Sequence, residues 1–178
     1  MSAPSGAFYV IEIGGNDLRD ALLAAVGGGN PAAILSAAVE SLNDNILRLY
    51  AAGARDFLVW RAPDIGLTPA IASIPGGSAA AGQLTVLFNA GVDALLGQLG
   101  AALPGVRFLR LDAYAKLNTV VAKPQLFGLR NVSAAYITPN VPPFACKKPD
   151  QYLFWDGIHP TKAGHAILAE EAAQVLAP

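Results

Sequence analysis

The chain has 178 residues, which is one domain's worth and long enough to bury a substantial core. Hydrophobic residues make up 53% of it and charged residues only 14%, below the roughly 25% of ordinary soluble domains, so part of the apolar surface is expected to form an interface. The net charge of -1 argues against binding of nucleic acids or anionic lipids, because no basic block exists to neutralise phosphates.

Strands and helices alternate along the chain. The predicted elements are a strand at Phe8–Ile13, helices at Asp17–Val26 and from Pro31 to Gly53, a strand at Phe57–Trp60, a helix at Gly82–Leu99, a strand at Val106–Leu111, a helix from Asp112 to Ala122, and a last helix after Pro160. Asn30 is the predicted N-cap of the second helix. The nearly continuous apolar sequence of the first strand predicts burial on both faces.

One long segment has little regular periodicity. Residues Gln125 to Tyr152 are predicted to form a long Pro-rich loop, and loops of that length in a compact domain are more often functional than idle. The longest charge-free run, Ile65 to Val92, is broken by Pro, Gly, Thr, Gln and Asn and is not predicted to span a membrane. No secretory signal is visible at the N-terminus, so localisation is not assigned.

The alternation predicts one α/β domain over residues 1–178 with a mostly parallel sheet and right-handed crossovers. In such sheets the site lies beyond the carboxyl ends of the strands. Asn16 follows the first strand, Asp64 follows the second, and Asp156 with His159 precedes the last helix. These residues are therefore expected to gather at one edge of the sheet.

The strongest chemical signal is Asp156-Gly157-Ile158-His159-Pro160. An aspartate three residues before a histidine can accept the Nδ1 proton and leave Nε2 free as a base. The alternative is a purely structural helix-capping loop. His165 is interpreted as a packing or surface residue, and two histidines six residues apart without clustered carboxylates do not predict a metal site.

The second signal is the turn Gly14-Gly15-Asn16-Asp17 after the first strand. One interpretation is structural: Asn or Asp caps the helix and the glycines permit a positive φ. The functional interpretation is that the Asn16 side-chain amide donates to an oxyanion while Asp17 holds the turn. Such a donor contributes about 3–4 kcal/mol in acyl transfer.

Together the two segments resemble the GDSL-type SGNH hydrolases, esterases and lipases with a Gly-x-Asn-Asp turn and a terminal Asp-x-x-His-Pro block. Pro63 to Pro69, Phe88-Asn89-Ala90 and Asp150 to Trp155 extend the resemblance to the secreted bacterial branch of that family. The resemblance implies a truncated flavodoxin-like, three-layer fold with about three strands. It also implies that Asp156 orients His159, that His159 is the general base and acid, and that Asn16 belongs to the oxyanion hole, with Gly14, Gly15 and Asp17 in the turn that carries it. No cofactor or metal is needed.

This sequence departs from the family pattern at the nucleophile. The family's serine lies in a Gly-Asp-Ser block after the first strand, and no such block occurs here. Ser2 and Ser5 precede the strand Phe8–Ile13 and are expected at its opposite end. Ser73, Ser78 and Ser133 are candidate substitutes on the correct side. A triad without its serine loses roughly 10⁶-fold in kcat, so a very weak esterase is expected if none of them substitutes.

The missing block also bears on assembly. In flavodoxin-like order its strand is central, so its loss leaves Phe8–Ile13 as a bare apolar edge. We expect a homo-oligomer joined at this edge, or a requirement for a separate N-terminal segment. Two functions remain open: an ester hydrolase acting on short-chain acyl esters, and a catalytically silent remnant that serves as a binding or assembly module.

Overall fold

A computed structural model of the chain describes residues 3–4 and 6–177. Its elements are β1 (Phe8–Ile11), α1 (Gly15–Val26), α2 (Pro31–Ala51), β2 (Asp56–Arg61), α3 (Pro69–Ala72), α4 (Gly77–Ala102), β3 (Arg107–Asp112), α5 (Ala113–Ala122), β4 (Asn131–Ala135), β5 (Tyr152–Phe154) and α6 (Lys162–Leu176), with short 3₁₀ turns at Ile65–Leu67, Pro124–Phe127 and Pro149–Gln151. The residues group into two compact units, Met1–Ala62 with Gln83–Asp112, and Pro63–Gly82 with Ala113–Pro178. The single domain over residues 1–178 stays a prediction.

The first unit contains a three-stranded parallel sheet in the order β1-β2-β3. Central strand β2 is buried at Phe57, Leu58 and Val59 because it has a neighbouring strand on each side. The Phe57 ring lies 5.7 Å from the Tyr9 ring and 5.4 Å from the Phe108 ring, so one row of aromatic side chains crosses all three strands. The α/β class and the parallel sheet of about three strands are confirmed.

Strand β1 differs from its prediction in length and burial. It ends at Ile11 instead of Ile13, and Phe8 and Val10 are 40% and 59% exposed, so the predicted burial of both faces is wrong. The physical reason is position: β1 pairs only with β2 and forms an edge of the sheet. The predicted apolar edge is therefore present in the structure.

Helix α2 begins as predicted, because Asn30 Oδ1 accepts a hydrogen bond from the Ala33 N–H at 3.2 Å and Pro31 follows it. Helix α4 begins at Gly77, five residues before the predicted start at Gly82. Ser78 therefore lies in a helix and not in a loop.

Helix α4 is hydrogen-bonded to the residue that follows β2. Asn89 is fully buried, and its side chain both accepts from the Ala62 N–H at 2.8 Å and donates to the Ala62 carbonyl at 2.9 Å. This pair of hydrogen bonds fixes the backbone where β2 ends. The helix is long and apolar enough to cross a membrane by length and composition, but 44% of its most apolar window is buried in the protein. Phe88, Val92 and Leu96 of this helix are at most 2% exposed, so it packs into the core of the protein.

The second unit has its own small core, built from Val120, Leu129, Leu153 and Phe154. Strands β4 and β5 pair in parallel beside it. The prediction that Gln125–Tyr152 is only a loop is therefore wrong at Asn131–Ala135. The reason is that β4 and β5 have five and three residues, too few for a period of two to be recognised, and their pairing is a tertiary contact.

Candidate active site

The segment Asp156–Pro160 connects β5 to α6 and is fixed at both ends by backbone hydrogen bonds. The Trp155 N–H donates to the His159 carbonyl at 2.7 Å, and the Thr161 N–H donates to the Leu153 carbonyl at 2.9 Å. Phe154 and Pro160 form an antiparallel bridge. The loop therefore folds back beside β5, and His159 is held close to the strand.

Thr161 anchors the far end of this loop, which the sequence analysis missed. Its Oγ1 donates to the Tyr152 carbonyl at 2.6 Å and accepts from the Gly164 N–H at 3.2 Å, so it is the N-cap of α6. A threonine directly before a helical pattern is a usual N-cap signal and could have indicated this role.

The Asp156 carboxylate organises the loop with both oxygens. Oδ1 accepts from the backbone N–H groups of Ile158 and His159, each at 2.7 Å. Oδ2 lies 2.8 Å from His159 Nδ1. The i,i+3 pairing predicted from the sequence is present, and the two backbone bonds orient the carboxylate toward the imidazole.

These contacts set the ionisation of Asp156. Partial burial opposes the charged form, but the hydrogen bonds from the His159 N–H, the His159 ring and the Ile158 N–H together outweigh it, so the pKa of the Asp156 carboxyl lies below its ordinary value. Asp156 therefore remains an anion at neutral pH. An anion at Oδ2 favours the tautomer in which Nδ1 carries the proton and Nε2 has the free lone pair.

A pH dependence of stability follows from this lowered pKa. The carboxylate stabilises the folded state above its unfolded pKa of about 3.9, and the stabilisation is lost as the pH falls through the lower folded value. We expect the difference in unfolding free energy between wild type and Asp156→Asn to be larger at pH 7 than at pH 3. Urea unfolding of both proteins at the two pH values measures this; an equal difference at both would contradict it.

The His159 side chain is 71% exposed and can be reached from solvent. No serine of the described residues is hydrogen-bonded to this ring. Ser73 Oγ donates to the Ala70 carbonyl and Ser78 Oγ to the Gly66 carbonyl, each at 2.7 Å, while the exposed Ser133 lies in β4. The structure therefore brings Asp156 and His159 together without a serine partner, and Ser2 and Ser5 lie outside the described residues.

The turn after β1 is built around Gly14. Gly14 has φ +105° and is the N-cap residue of α1, with its carbonyl accepting from the Leu18 N–H at 2.8 Å. Asn16 and Asp17 lie inside the first turn of the helix. The interpretation that one of them caps the helix is therefore wrong, because the chain enters the helix two residues earlier than predicted.

Asn16 is exposed in the first turn of α1, and its side chain makes no hydrogen bond within residues 3–4 and 6–177. Its amide is therefore available to a ligand. Asp17 places a negative charge in the same turn, where the helix dipole favours it. Asn16 belongs to the first unit and His159 to the second, and their meeting at one site stays a prediction.

The part of the chain that the structure describes holds no group of three or more His, Cys, Asp or Glu side chains that could bind a metal ion. The chemistry available from the described groups is that of a histidine base with an ionised aspartate behind it, and an amide donor at the start of α1.

Comparison with known proteins identifies a matching protein family. Residues 2–172 match the family model described as GDSL-like Lipase/Acylhydrolase. A GDSL esterase/lipase of Arabidopsis thaliana is 30% identical over an alignment of 172 positions that covers 93% of this chain and 49% of that protein. Another GDSL esterase/lipase of the same plant is 25% identical over an alignment of 180 positions, which also covers 93% of this chain and 49% of the relative. The chain thus spans about half the length of these relatives.

Proposed function

Because the chain belongs to the GDSL-like lipase/acylhydrolase family, we propose that it is a carboxylic ester hydrolase acting on short-chain acyl esters. His159 is the general base, Asp156 orients it, and Asn16 donates its amide to the oxyanion, with Gly14, Gly15 and Asp17 forming the turn that presents Asn16. The observation that carries the proposal is the 2.8 Å contact between Asp156 Oδ2 and His159 Nδ1 beside an exposed imidazole.

The reaction begins when His159 Nε2 accepts the proton of a hydroxyl group as that oxygen attacks the ester carbonyl. The negative charge then develops on the carbonyl oxygen, where the Asn16 amide donates a hydrogen bond. The protonated His159 returns its proton to the leaving alkoxide, and the alcohol departs. Asp156 stabilises the imidazolium that forms between these two steps.

The attacking hydroxyl belongs to water or to a serine. The hydrogen bonds from Ser73 and Ser78 to backbone carbonyls favour neither residue as the nucleophile. Labelling with a fluorophosphonate followed by mass spectrometry identifies any activated serine, including Ser133. A general base acting on water alone contributes about 10²–10⁴-fold.

The chain has two histidines, His159 and His165, which permits a selective test. We expect the His165→Ala variant to hydrolyse p-nitrophenyl acetate as wild type does, and to lose that activity when diethyl pyrocarbonate carbethoxylates the remaining His159. Hydroxylamine, which removes the modification, should restore it. Hydrolysis that survives complete modification of this variant, or that never exceeds the buffer rate, would contradict the proposal and favour the silent binding or assembly module.

A second candidate role, self-association through β1, is favoured by the exposed edge of the sheet. Val10 is 59% exposed on a strand that pairs on one side only. We expect a dimer formed by pairing of this edge with a second copy, and Val10→Lys should make the protein monomeric because a charge on an edge strand opposes pairing. Val26→Lys, at a 78% exposed position of α1, is the matched control. Light scattering that shows a wild-type monomer at all concentrations would rule this role out.

A further inference from the structure

Trp155 precedes the loop that carries His159, and the two residues lie opposite each other. The Trp155 N–H donates to the His159 carbonyl at 2.7 Å, and Phe154 and Pro160 form the adjacent antiparallel bridge. Residues that are directly opposite in an antiparallel pair project their side chains from the same face, with Cβ atoms about 4.5–5.5 Å apart. The indole of Trp155 therefore lies beside the imidazole of His159.

The Trp155 indole is packed on one side and open to solvent on another. The Tyr136 ring contacts it, with ring centroids 5.1 Å apart and planes inclined by 34°. Trp155 nevertheless remains 43% exposed. Because aromatic side chains gain free energy when they bury their large apolar surface, this open indole next to the proposed base is available to a ligand.

Backbone and ring contacts hold the two rings in place. The Tyr136 N–H donates to the Phe154 carbonyl, and the Tyr136 carbonyl accepts from the Cys146 N–H, each at 2.9 Å. The Tyr152 ring meets the Tyr136 ring edge-on, with centroids 5.7 Å apart and planes at 70°. Trp155, Tyr136 and Tyr152 thus form an aromatic platform that exists before a ligand arrives, which lowers the entropic cost of binding.

The shape of the aromatic platform favours a planar aromatic ring as its ligand. Quaternary ammonium groups are bound in cages of several aromatic faces, whereas Tyr136 packs against Trp155 and leaves no such space between the rings. A sugar would also need free hydrogen-bonding groups. In the adjoining segments, however, Asn131 Oδ1 already accepts from backbone N–H groups at 2.8 and 3.2 Å, and Thr138 Oγ1 donates to a backbone carbonyl at 2.7 Å.

We propose that the open face of Trp155 binds an aromatic ring in the alcohol part of the ester, so that esters of aromatic alcohols such as benzyl alcohol are the preferred substrates. His159 Nε2 returns its proton to the leaving oxygen, which must come within hydrogen-bond reach of that nitrogen. The group attached to this oxygen is thereby brought against Trp155. The assignment rests on the proposed ester hydrolysis and adds the chemical class of the alcohol and the residue that selects it.

The test compares kcat/KM for benzyl acetate and cyclohexylmethyl acetate, each divided by its rate constant for alkaline hydrolysis. The two alcohols have the same carbon skeleton and differ in aromaticity. Stacking on Trp155 should favour benzyl acetate about 2- to 10-fold. Equal values would overturn the assignment. A preference that appears only between methyl phenylacetate and methyl cyclohexylacetate, which carry the ring in the acyl part, would overturn it as well.

Two variants of Trp155 separate the ring from the backbone. Trp155→Leu should remove the preference for benzyl acetate, whereas Trp155→Phe, which keeps a ring, should retain part of it. The backbone N–H of residue 155 persists in both, so the hydrogen bond to the His159 carbonyl is kept. Phe8→Leu, at a 40% exposed aromatic position of the first unit, is the matched control and should leave the preference unchanged. An equal preference in wild type and Trp155→Leu would contradict the assignment.

A binding measurement without turnover separates this assignment from the proposed function. The chain has two tryptophans, and Trp60 Nε1 is buried without a hydrogen-bond partner among the described residues, so Trp60→Phe leaves no acceptor unpaired and makes Trp155 the sole indole. Titration of this variant with benzyl alcohol should change its tryptophan fluorescence in a saturable way, with an affinity about 2- to 10-fold above that for cyclohexylmethanol. This result in a protein without esterase activity would leave the ring-binding assignment standing and refute the enzyme. A change that is absent, or that has equal affinity for the two alcohols, would refute the assignment whatever the activity.

Discussion

Replacing His159 with Ala is expected to lower p-nitrophenyl acetate turnover about 10²–10⁴-fold, because the proton of the attacking hydroxyl then has no acceptor. The variant should remain folded, because the His159 side chain is 71% exposed and its removal leaves no cavity in the core. His165→Ala is the matched control, because His165 is an exposed residue of α6. Equal turnover in wild type and His159→Ala would contradict the proposed role.

Asp156→Asn should cause a loss of similar size for a different reason. The Asn Oδ1 can still accept from the Ile158 and His159 N–H groups, so the loop keeps its shape. Its NH₂ group, however, replaces the carboxylate oxygen that lies 2.8 Å from His159 Nδ1. Nδ1 must then become an acceptor, which places the proton on Nε2 and removes the base. Normal turnover in this variant would show that Asp156 does not set the tautomer.

Gly14→Ala is expected to have the largest effect on stability. A Cβ atom at Gly14 would lie 2.7 Å from Phe88 Cζ and closer still to Cε1, and φ is +105°. Phe88 is 1% exposed, so a shift of its ring would disturb the packing of a buried side chain. The left-handed conformation costs roughly 1–2 kcal/mol and overpacking about 1–3 kcal/mol more, so a loss of about 3 kcal/mol is expected.

Urea unfolding of Gly14→Ala measures this loss, and the neighbouring glycine provides the control. A Cβ atom at Gly15 would meet nothing within 4 Å. Gly15→Ala should therefore leave the unfolding free energy unchanged or raise it by up to about 1 kcal/mol, because Ala has the higher helix propensity. Equal stabilities of the two variants would show that the turn tolerates a side chain at Gly14.

The longer elements could be predicted from the sequence because their signals are local. Asn30 and Pro31 mark the start of α2, and the apolar sequence around Phe57–Trp60 marks the central strand. The edge position of β1 was predicted only through the family resemblance, and the pairing of β4 with β5 was not predicted at all. Both depend on which strands become neighbours in space, and strands of three to five residues leave almost no periodicity.

In the candidate site, too, local contacts were predictable and tertiary contacts were not. The Asp156–His159 pair was predictable because the two residues are three positions apart, so a short loop brings their side chains together. The packing of Phe88 on Gly14 joins residues that are distant in the sequence. The nucleophile depends on tertiary approach as well. The hydrogen bond from Ser78 to the Gly66 carbonyl joins residues that are distant in the sequence, whereas the bond from Ser73 to the Ala70 carbonyl is local.

The most direct test of the account is a double-mutant cycle on ester turnover with His159→Ala, Asp156→Asn and the combined variant. If Asp156 acts only by holding His159 as a base, the combined variant should be no slower than His159→Ala alone, because groups that act as a unit are not additive. Losses that multiply in the combined variant, or single variants as active as wild type, would contradict the account.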